Sequence, residues 1–498
     1  MQLQCGRQSR LNGNLMKSST HDHEHRPNRF AVIPTNTRLD ADPEYTGKGV
    51  TMAFLDSGFY PHPDLLEPTN RVIAYKDLTG ERPVFHAANP TESWQWHGTQ
   101  TSIAAAGSGR LCDGVYRGLA YEADLVLVKV SENGRITEKS IARGLRWIIQ
   151  NRERYNIRVV NISLGGDEDV PCSRSIIDQA AEEAIKQGIV VVAAAGNSGA
   201  DGRHSIPPAN SPSVITVGGY DDNNQLNGDE RSLYHSNFGV TADGTVKPEI
   251  IAPAMWIAAP ILPGTAAYER AEALSKLAAA RDYQLPSLAR ELEEKAELPE
   301  AIVASDAAAI RTFVESILKS QKIVASHYQH VDGTSFAAPI VASIVAQMIE
   351  ANPQLTPGAV KSILISTADR IAMAPALRQG YGVVNARRAL ELAKTEQHAL
   401  KTVGCNPPRV EHGRLVFLYH DDTAKSVSLA GDFNRWDSAA TSLSKDASGL
   451  WLAVIAAPDA GRYQYKFIVD GHRWIEDPSN GLKAPDQYGG LNSVLVIE

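Results

Sequence analysis

Four cysteines in 498 residues, Cys5, Cys112, Cys172 and Cys405, stand too far apart for a metal motif and show no disulfide pattern. That scarcity fits a reducing compartment, so the expected location is the cytoplasm. The N-terminal twenty residues lack an apolar segment, which argues against a Sec-type leader. No stretch reads as long and apolar enough to span a bilayer, so no membrane partner is expected. Lysine and arginine form no basic run and the formal net charge is −8, which argues against a nucleic-acid partner. Clustered carboxylates are missing as well. The stretch 107–114 holds Asp113 alone, so no metal is assigned and no cofactor is expected.

What is present is ordinary globular composition, 43% hydrophobic and 21% charged, over more than one domain's length. Residues 1–30 read as a disordered polar tail, with His21, His23 and His25 solvated rather than metal-bound. From Gly49 the pattern changes to short apolar runs alternating with amphipathic segments. Strands are expected at 50–55, 124–130, 159–164, 189–194 and 213–217, and helices at 137–150 and 175–187. Near-continuous apolar strands separated by helices predict an α/β fold, a parallel sheet covered by helices on both faces. Ligands on such sheets bind at the carboxyl ends of strands, where Asp56, Ser163 and Asn197 fall.

Residues 265–328 interrupt that alternation with Ala-, Glu- and Leu-rich sequence that predicts two or three helices. The α/β pattern resumes at 329 and ends near Lys394, so the first domain is bounded at 31–396 and followed by a linker at 397–410. Over 411–498 the period becomes two. Leu415, Phe417 and Tyr419 alternate, as do Leu450, Leu452 and Val454, and Tyr463, Tyr465 and Phe467. With the Asp470-Gly471 turn this predicts an all-β, immunoglobulin-like sandwich.

The chemistry centres on Ser335, which a Gly333-Thr334 turn delivers into an apolar helical run ending near Asn352. A helix N-terminus favours negative charge, which suits a hydroxyl that must become an alkoxide. An isolated Thr-Ser is more simply an N-cap. A nucleophilic serine also needs a base and a carboxylate to orient that base. His97, opening a small-residue helix, and Asp56, at a strand end, supply them, and the tight turn at Asn197 supplies an amide.

Six blocks carry a resemblance: AFLDSG at 53–58, HGT at 97–99, NISLGG at 161–166, AAGNSG at 194–199, PEIIAP at 248–253 and GTSFAAP at 333–339. In this order they resemble the signature blocks of the subtilisin-like serine proteases over residues 30–396. The resemblance implies that Ser335 attacks the scissile carbonyl and His97 moves its proton. It also implies that Asp56 holds the imidazole, and that Asn197 with the Ser335 N–H stabilises the oxyanion. Ser163, Leu164 and Gly165 would pair with extended protein or peptide substrates as an added strand. Ala194, Ala195 and Gly196 would form the opposite wall of a roomy apolar pocket, whose floor the short segment 200–207 leaves open. Three departures stand out. The segment before Ala31 is short for a pro-domain. Calcium sites are common in the family, yet no loop here clusters carboxylates, so calcium is possible but not assignable. Phe336 stands where an oxidisable methionine often follows the nucleophile, which predicts peroxide resistance. The inserted helices are expected on the leaving-group side of the cleft, as a lid or as a hairpin packed on its own core.

In the second domain, GDFNRW at 431–436, YQYKF at 463–467, Trp474, Asp477-Pro478 and Asn492 resemble the glycogen-binding module of the AMP-activated protein kinase beta subunit and of starch-branching enzymes. Sugar rings stack on indoles and need polar partners at their edges. Trp436, Lys466, Trp474 and Asn492 are the expected contacts to an alpha-glucan polysaccharide, with Tyr488 a weaker one. The expected protein is a serine endopeptidase tethered to glucan. A peptide-binding scaffold with a dead cleft is the alternative. A glucan-cleaving enzyme fits poorly, because Asp432 and Asp470 both sit in turns.

Overall fold

A computed structural model describes residues 32–497, apart from 81–84, 86–90, 133, 167–169, 200–203, 396–407, 412–413, 422, 446–449, 479 and 481–482. The tail at 1–30, most of the linker and part of the short 200–207 segment therefore lie outside the described residues.

The central sheet has the spatial order Ile250–Pro253, Ile215–Asp221, Val190–Ala194, Ile157–Ile162, Thr51–Asp56, Asp124–Lys129, Val72–Asp77, with every neighbour in that path parallel. The short strand Ser232–Leu233 pairs antiparallel at one side. Strand pleating sends alternate residues to opposite faces, and the two cores separate accordingly. Met52, Phe54, Leu125, Leu127, Val159 and Val192 belong to one core, which the helices Trp96–Ala106 and Thr334–Ala351 cover. Ala53, Leu55, Val126, Val128, Val160 and Val191 belong to the other, under Glu138–Tyr155 and Ile176–Lys186. Both faces are buried, which is why the strands read as continuous apolar runs. Thr51–Asp56 lies between Ile157–Ile162 and Asp124–Lys129, where the strand order reverses, and a crevice opens at the carboxyl ends of such strands.

The helix Thr334–Ala351 corrects one expectation. By length and composition it could cross a bilayer, yet 83% of it is buried in the fold. It runs through the larger core, with Ile340, Val341, Ile344 and Val345 fully enclosed.

The insertion is richer than expected, with five helices: Ala266–Ala279, Leu285–Glu291, Glu293–Ala296, Glu300–Val303 and Ala307–Ser320. They enclose a separate core of Leu274, Leu277, Leu285, Ile310, Val314 and Leu318. The insertion is carried at the open end of an antiparallel pair in which Pro260 faces Tyr328. Gln100, on the histidine-bearing helix, donates to Pro260 O at 2.8 Å, and Thr91 donates to Pro263 O at 2.6 Å. The insertion thus roots beside the histidine helix.

The C-terminal region forms two antiparallel sheets, one built on Arg414–His420 and Leu450–Ala456, the other on Val427–Gly431, Gly461–Val469 and Leu491–Ile497. Leu415, Phe417, Leu429, Tyr465 and Phe467 fill the space between them. The strand Leu450–Ala456 reverses the expected facing at two positions. Trp451 and Ala453 point into the core, whereas Leu452 and Val454 are 38% and 46% exposed. Both alternate sets of that strand are apolar, so period alone could not choose between them.

Candidate functional site

Ser335 is not the helix cap. Gly333 takes that position at φ 139, a backbone region that a side chain disfavours, and Ser335 follows in the first helical turn. Its N–H therefore has no intrahelical acceptor. Pro339 lies four residues on and has no N–H to donate to the Ser335 carbonyl. Ser163 fills the vacancy, its hydroxyl donating to Ser335 O at 2.9 Å while accepting from Asn161 Nδ2 at 3.0 Å. The proline thus frees a carbonyl that ties the nucleophile helix to the neighbouring strand end. Ser335 Oγ itself donates to Ser163 O at 3.4 Å, its one hydrogen bond among the described residues. Among the described residues no hydrogen bond joins Ser335 Oγ to His97.

His97 Nδ1 lies 2.8 Å from Asp56 Oδ1. Asp56 is buried and fully engaged. Oδ1 also accepts from Ser57 N at 2.7 Å, and Oδ2 from Thr101 Oγ1 at 3.1 Å. Thr101 lies one turn beyond His97, so one helix face presents two groups to one carboxylate. Close approach demands Gly98 between them, where a Cβ would stand 2.3 Å from Gly58 O. Burial disfavours charge on His97, but the charge of Asp56 and its hydrogen bond outweigh this, and the imidazole pKa lies above its ordinary value.

Asn197 is exposed on the turn after Val190–Ala194. Its Oδ1 accepts from Thr334 N at 2.9 Å and Thr334 Oγ1 at 3.0 Å, which commits the amide oxygen and turns Nδ2 outward beside the nucleophile turn. His235 Nδ1 is 2.8 Å from Asn197 O and steadies the same turn from behind. Asp56 and His97, read from distant stretches of sequence, thus meet directly, and Asn197 is tied to Thr334, the residue before Ser335. Thr101 and Thr334 were not among the expected residues. The i, i+4 spacing from His97 was a signal for the first, whereas nothing local marked the second.

The two proposed substrate walls leave adjacent strands, since Ile162 pairs with Ala193 in parallel register. Ser163, Leu164 and Gly165 continue one strand, and Ala194, Ala195 and Gly196 end the other. Gly165 is exposed, and a Cβ there would meet Pro207 O at 2.8 Å, so this wall is narrow as well as small. Phe336 is buried behind the site, its ring centroid 6.3 Å from that of His97. Among the described residues no group of three or more His, Cys, Asp or Glu side chains is placed to hold a metal ion.

On the sandwich, Trp436 and Trp474 stack with centroids 6.5 Å apart at 26°. They line a cavity of about 710 Å³ together with Lys466, Asn492, Tyr488, Gln464, Asp432 and Asp486. All four expected glucan contacts and Tyr488 meet there. Trp436 is held in the left-handed region at φ 59, a costly conformation for a bulky residue, while its Nε1 donates to Asp432 Oδ1 at 2.9 Å. Lys466 Nζ pairs with Asp486 Oδ2 at 2.6 Å, and Asn492 Nδ2 donates to Gln464 Oε1 at 2.9 Å. Gln464, Asp432 and Asp486 were missed. Gln464 shares the outward face with Lys466 by strand alternation and was legible on that ground.

A parallel sheet that brings a carboxylate-held histidine to a helix-opening serine, with an amide beside it, is the architecture of a serine peptidase. Residues 47–383 match the model of the Subtilase family, and the chain belongs to that family as a subtilisin-like serine endopeptidase. Serine protease AprX of Bacillus subtilis (strain 168) is 33% identical over 357 residues, covering 69% of this chain and 67% of that protein. Subtilisin BL of Lederbergia lenta is 34% identical over 201 residues, or 40% of this chain and 65% of that protein. The crystal structure of a cold adapted subtilisin-like serine proteinase aligns at a TM-score of 0.43 and 22% identity, covering 69% of this chain and 89% of that one. Residues 402–480 match Carbohydrate-binding module 48 (Isoamylase N-terminal domain). The chain is therefore a peptidase joined to a carbohydrate-binding module.

Proposed function

We propose that the chain hydrolyses peptide bonds through an acyl-enzyme on Ser335 while its module tethers it to an α-glucan. The observation that carries the first half is the His97–Asp56 contact at 2.8 Å with Asn197 locked through Thr334. In this reading Ser335 Oγ swings from Ser163 O to His97, gives up its proton and attacks the carbonyl carbon. The oxyanion is met by the Ser335 N–H and Asn197 Nδ2. His97 then passes the proton to the leaving amine, and water repeats the sequence to release the acid. The small walls at 163–165 and 194–196 favour a large apolar residue before the cut. Labelling of the chain with a fluorophosphonate should give an adduct on Ser335. A chain that stays unlabelled while folded is instead a peptide-binding scaffold.

The tether reading rests on the stacked pair Trp436 and Trp474, with polar groups at its edge. Indoles at this tilt offer apolar faces to successive sugar rings, and Asn492 and Lys466 reach the hydroxyl edge. Retention of the full chain on immobilised amylose or glycogen, lost on Trp474→Ala, is the expected result.

A further inference from the structure

The indole cavity does not end on the module. A second cavity of about 440 Å³ shares Lys466, Trp474 and Tyr488 with it, and its far wall is Arg370 and Ala376 of the peptidase domain. We propose that the glucan site is a groove built by both domains, so that its ligand is an extended α-glucan chain rather than a short oligosaccharide. This rests on the tether reading above and deepens it.

Three observations support the shared groove. The first is continuity. Trp474 is 45% exposed and Tyr488 is 92% exposed, and both stand on the rim common to the two cavities. A sugar chain lying on Trp474 therefore has open space on either side. The second is the polar equipment of the second cavity. Arg370 is exposed and makes one hydrogen bond among the described residues, a long one of 3.4 Å to Gly380 O. Glu476 lines the same space, and its Oε2 is buried with no hydrogen-bond partner among the described residues. Arg370 and Glu476 form no ion pair with each other among those residues. A guanidinium with unspent donors and a carboxylate with an unspent acceptor suit a hydroxyl edge, which both donates and accepts. The third is charge balance. Lys466 is neutralised by Asp486, and Arg370 faces a cavity that also holds Glu476. That balance fits a neutral polyhydroxylated ligand better than an anion.

The junction that forms the groove is packed. Lys483 of the module is enclosed and stands 5.7 Å from the Tyr381 ring centroid of the peptidase domain. Arg462 of the module presses on Gly244, where a Cβ would come within 2.5 Å of its guanidinium. The far wall is therefore held in place rather than brought there by the ligand.

The test is calorimetric titration of the full chain with maltotriose and with maltoheptaose. The expected result is maltoheptaose binding about tenfold more tightly. Arg370→Ala, and separately Ala376→Trp to narrow the cleft, should remove that gain while leaving maltotriose affinity and the melting temperature unchanged. Equal affinity for the two sugars, or a gain that survives both variants, overturns the shared groove and leaves the indole site standing. If neither sugar binds the full chain, the tether reading fails and the groove falls with it.

Discussion

The two sites of this chain are built on opposite plans. The peptidase site collects its groups from four distant stretches and buries their supports. Asp56 is 1% exposed, with four donors to its two oxygens. The indoles of the sugar site sit at the surface of one small domain, with Trp474 45% exposed. Charge must be held still to be useful in bond breaking, so the first plan spends buried hydrogen bonds on orientation. A neutral sugar is held by surface contact, so the second plan spends its strain, at Trp436, on presenting a ring. Damage should therefore differ in kind: steep losses of rate in one site, graded losses of affinity in the other.

The steepest should be Ser335→Ala, with kcat lowered roughly 10⁶-fold and folding intact, read by peptide hydrolysis. Asp56→Asn should lower kcat roughly 10⁴-fold, because an amide NH2 facing Nδ1 donates to it and fixes the wrong tautomer. It should also move the pH profile in a defined direction. His97 must be neutral to act as base, so activity rises with pH through its pKa. That pKa is raised by Asp56 against the effect of burial. Removing the charge leaves the burial, and the acid limb of kcat/KM should shift to lower pH. An acid limb that stays in place would mean that another group titrates there.

How much of this was legible in the sequence also differs between the two regions. The sheet was readable because its strands are buried on both faces, so hydrophobicity alone marks them, as at Thr51–Asp56 and Val190–Ala194. The candidate site residues were legible as the ends of elements: Asp56 closes a strand, and His97 and Ser335 lie in the first turns of helices. What sequence could not give were supports from far along the chain. Thr334 locks Asn197 from 137 residues away, and Ser163 fills a vacancy left by Pro339. In the sandwich, the facing of Leu450–Ala456 failed because Leu452 and Val454 are as apolar as Trp451 and Ala453. The insertion's helix count failed because short turns such as Glu293–Ala296 and Glu300–Val303 carry no full period.

Smaller effects sharpen the contrast. Asn197→Ala should lower kcat roughly 10²–10³-fold with KM little changed, since its amide meets charge that exists only in the transition state. Trp474→Ala should weaken maltoheptaose binding to the full chain by about 2 kcal/mol, roughly thirtyfold, with peptide hydrolysis untouched. A fall in peptide turnover alongside would show that the two sites are coupled and would break the separation drawn here.

The finest test concerns a residue that touches no substrate. Thr334→Val keeps the shape and the N–H that donates to Asn197 Oδ1, and removes the Oγ1 donor at 3.0 Å. It also removes the acceptor for Gly196 N, 3.1 Å away on the substrate wall. Each neutral hydrogen bond contributes about 1 kcal/mol. If Thr334 acts by aiming the Asn197 amide, kcat should fall a few-fold to about tenfold, and Asn197→Ala should cost no more in the valine background than its own loss allows, so the two changes combine less than additively. If Thr334 only supports the helix start, the two losses should add, and the melting temperature should fall while kcat holds. The additive result would assign orientation of the amide to the Thr334 N–H and to His235 behind the turn.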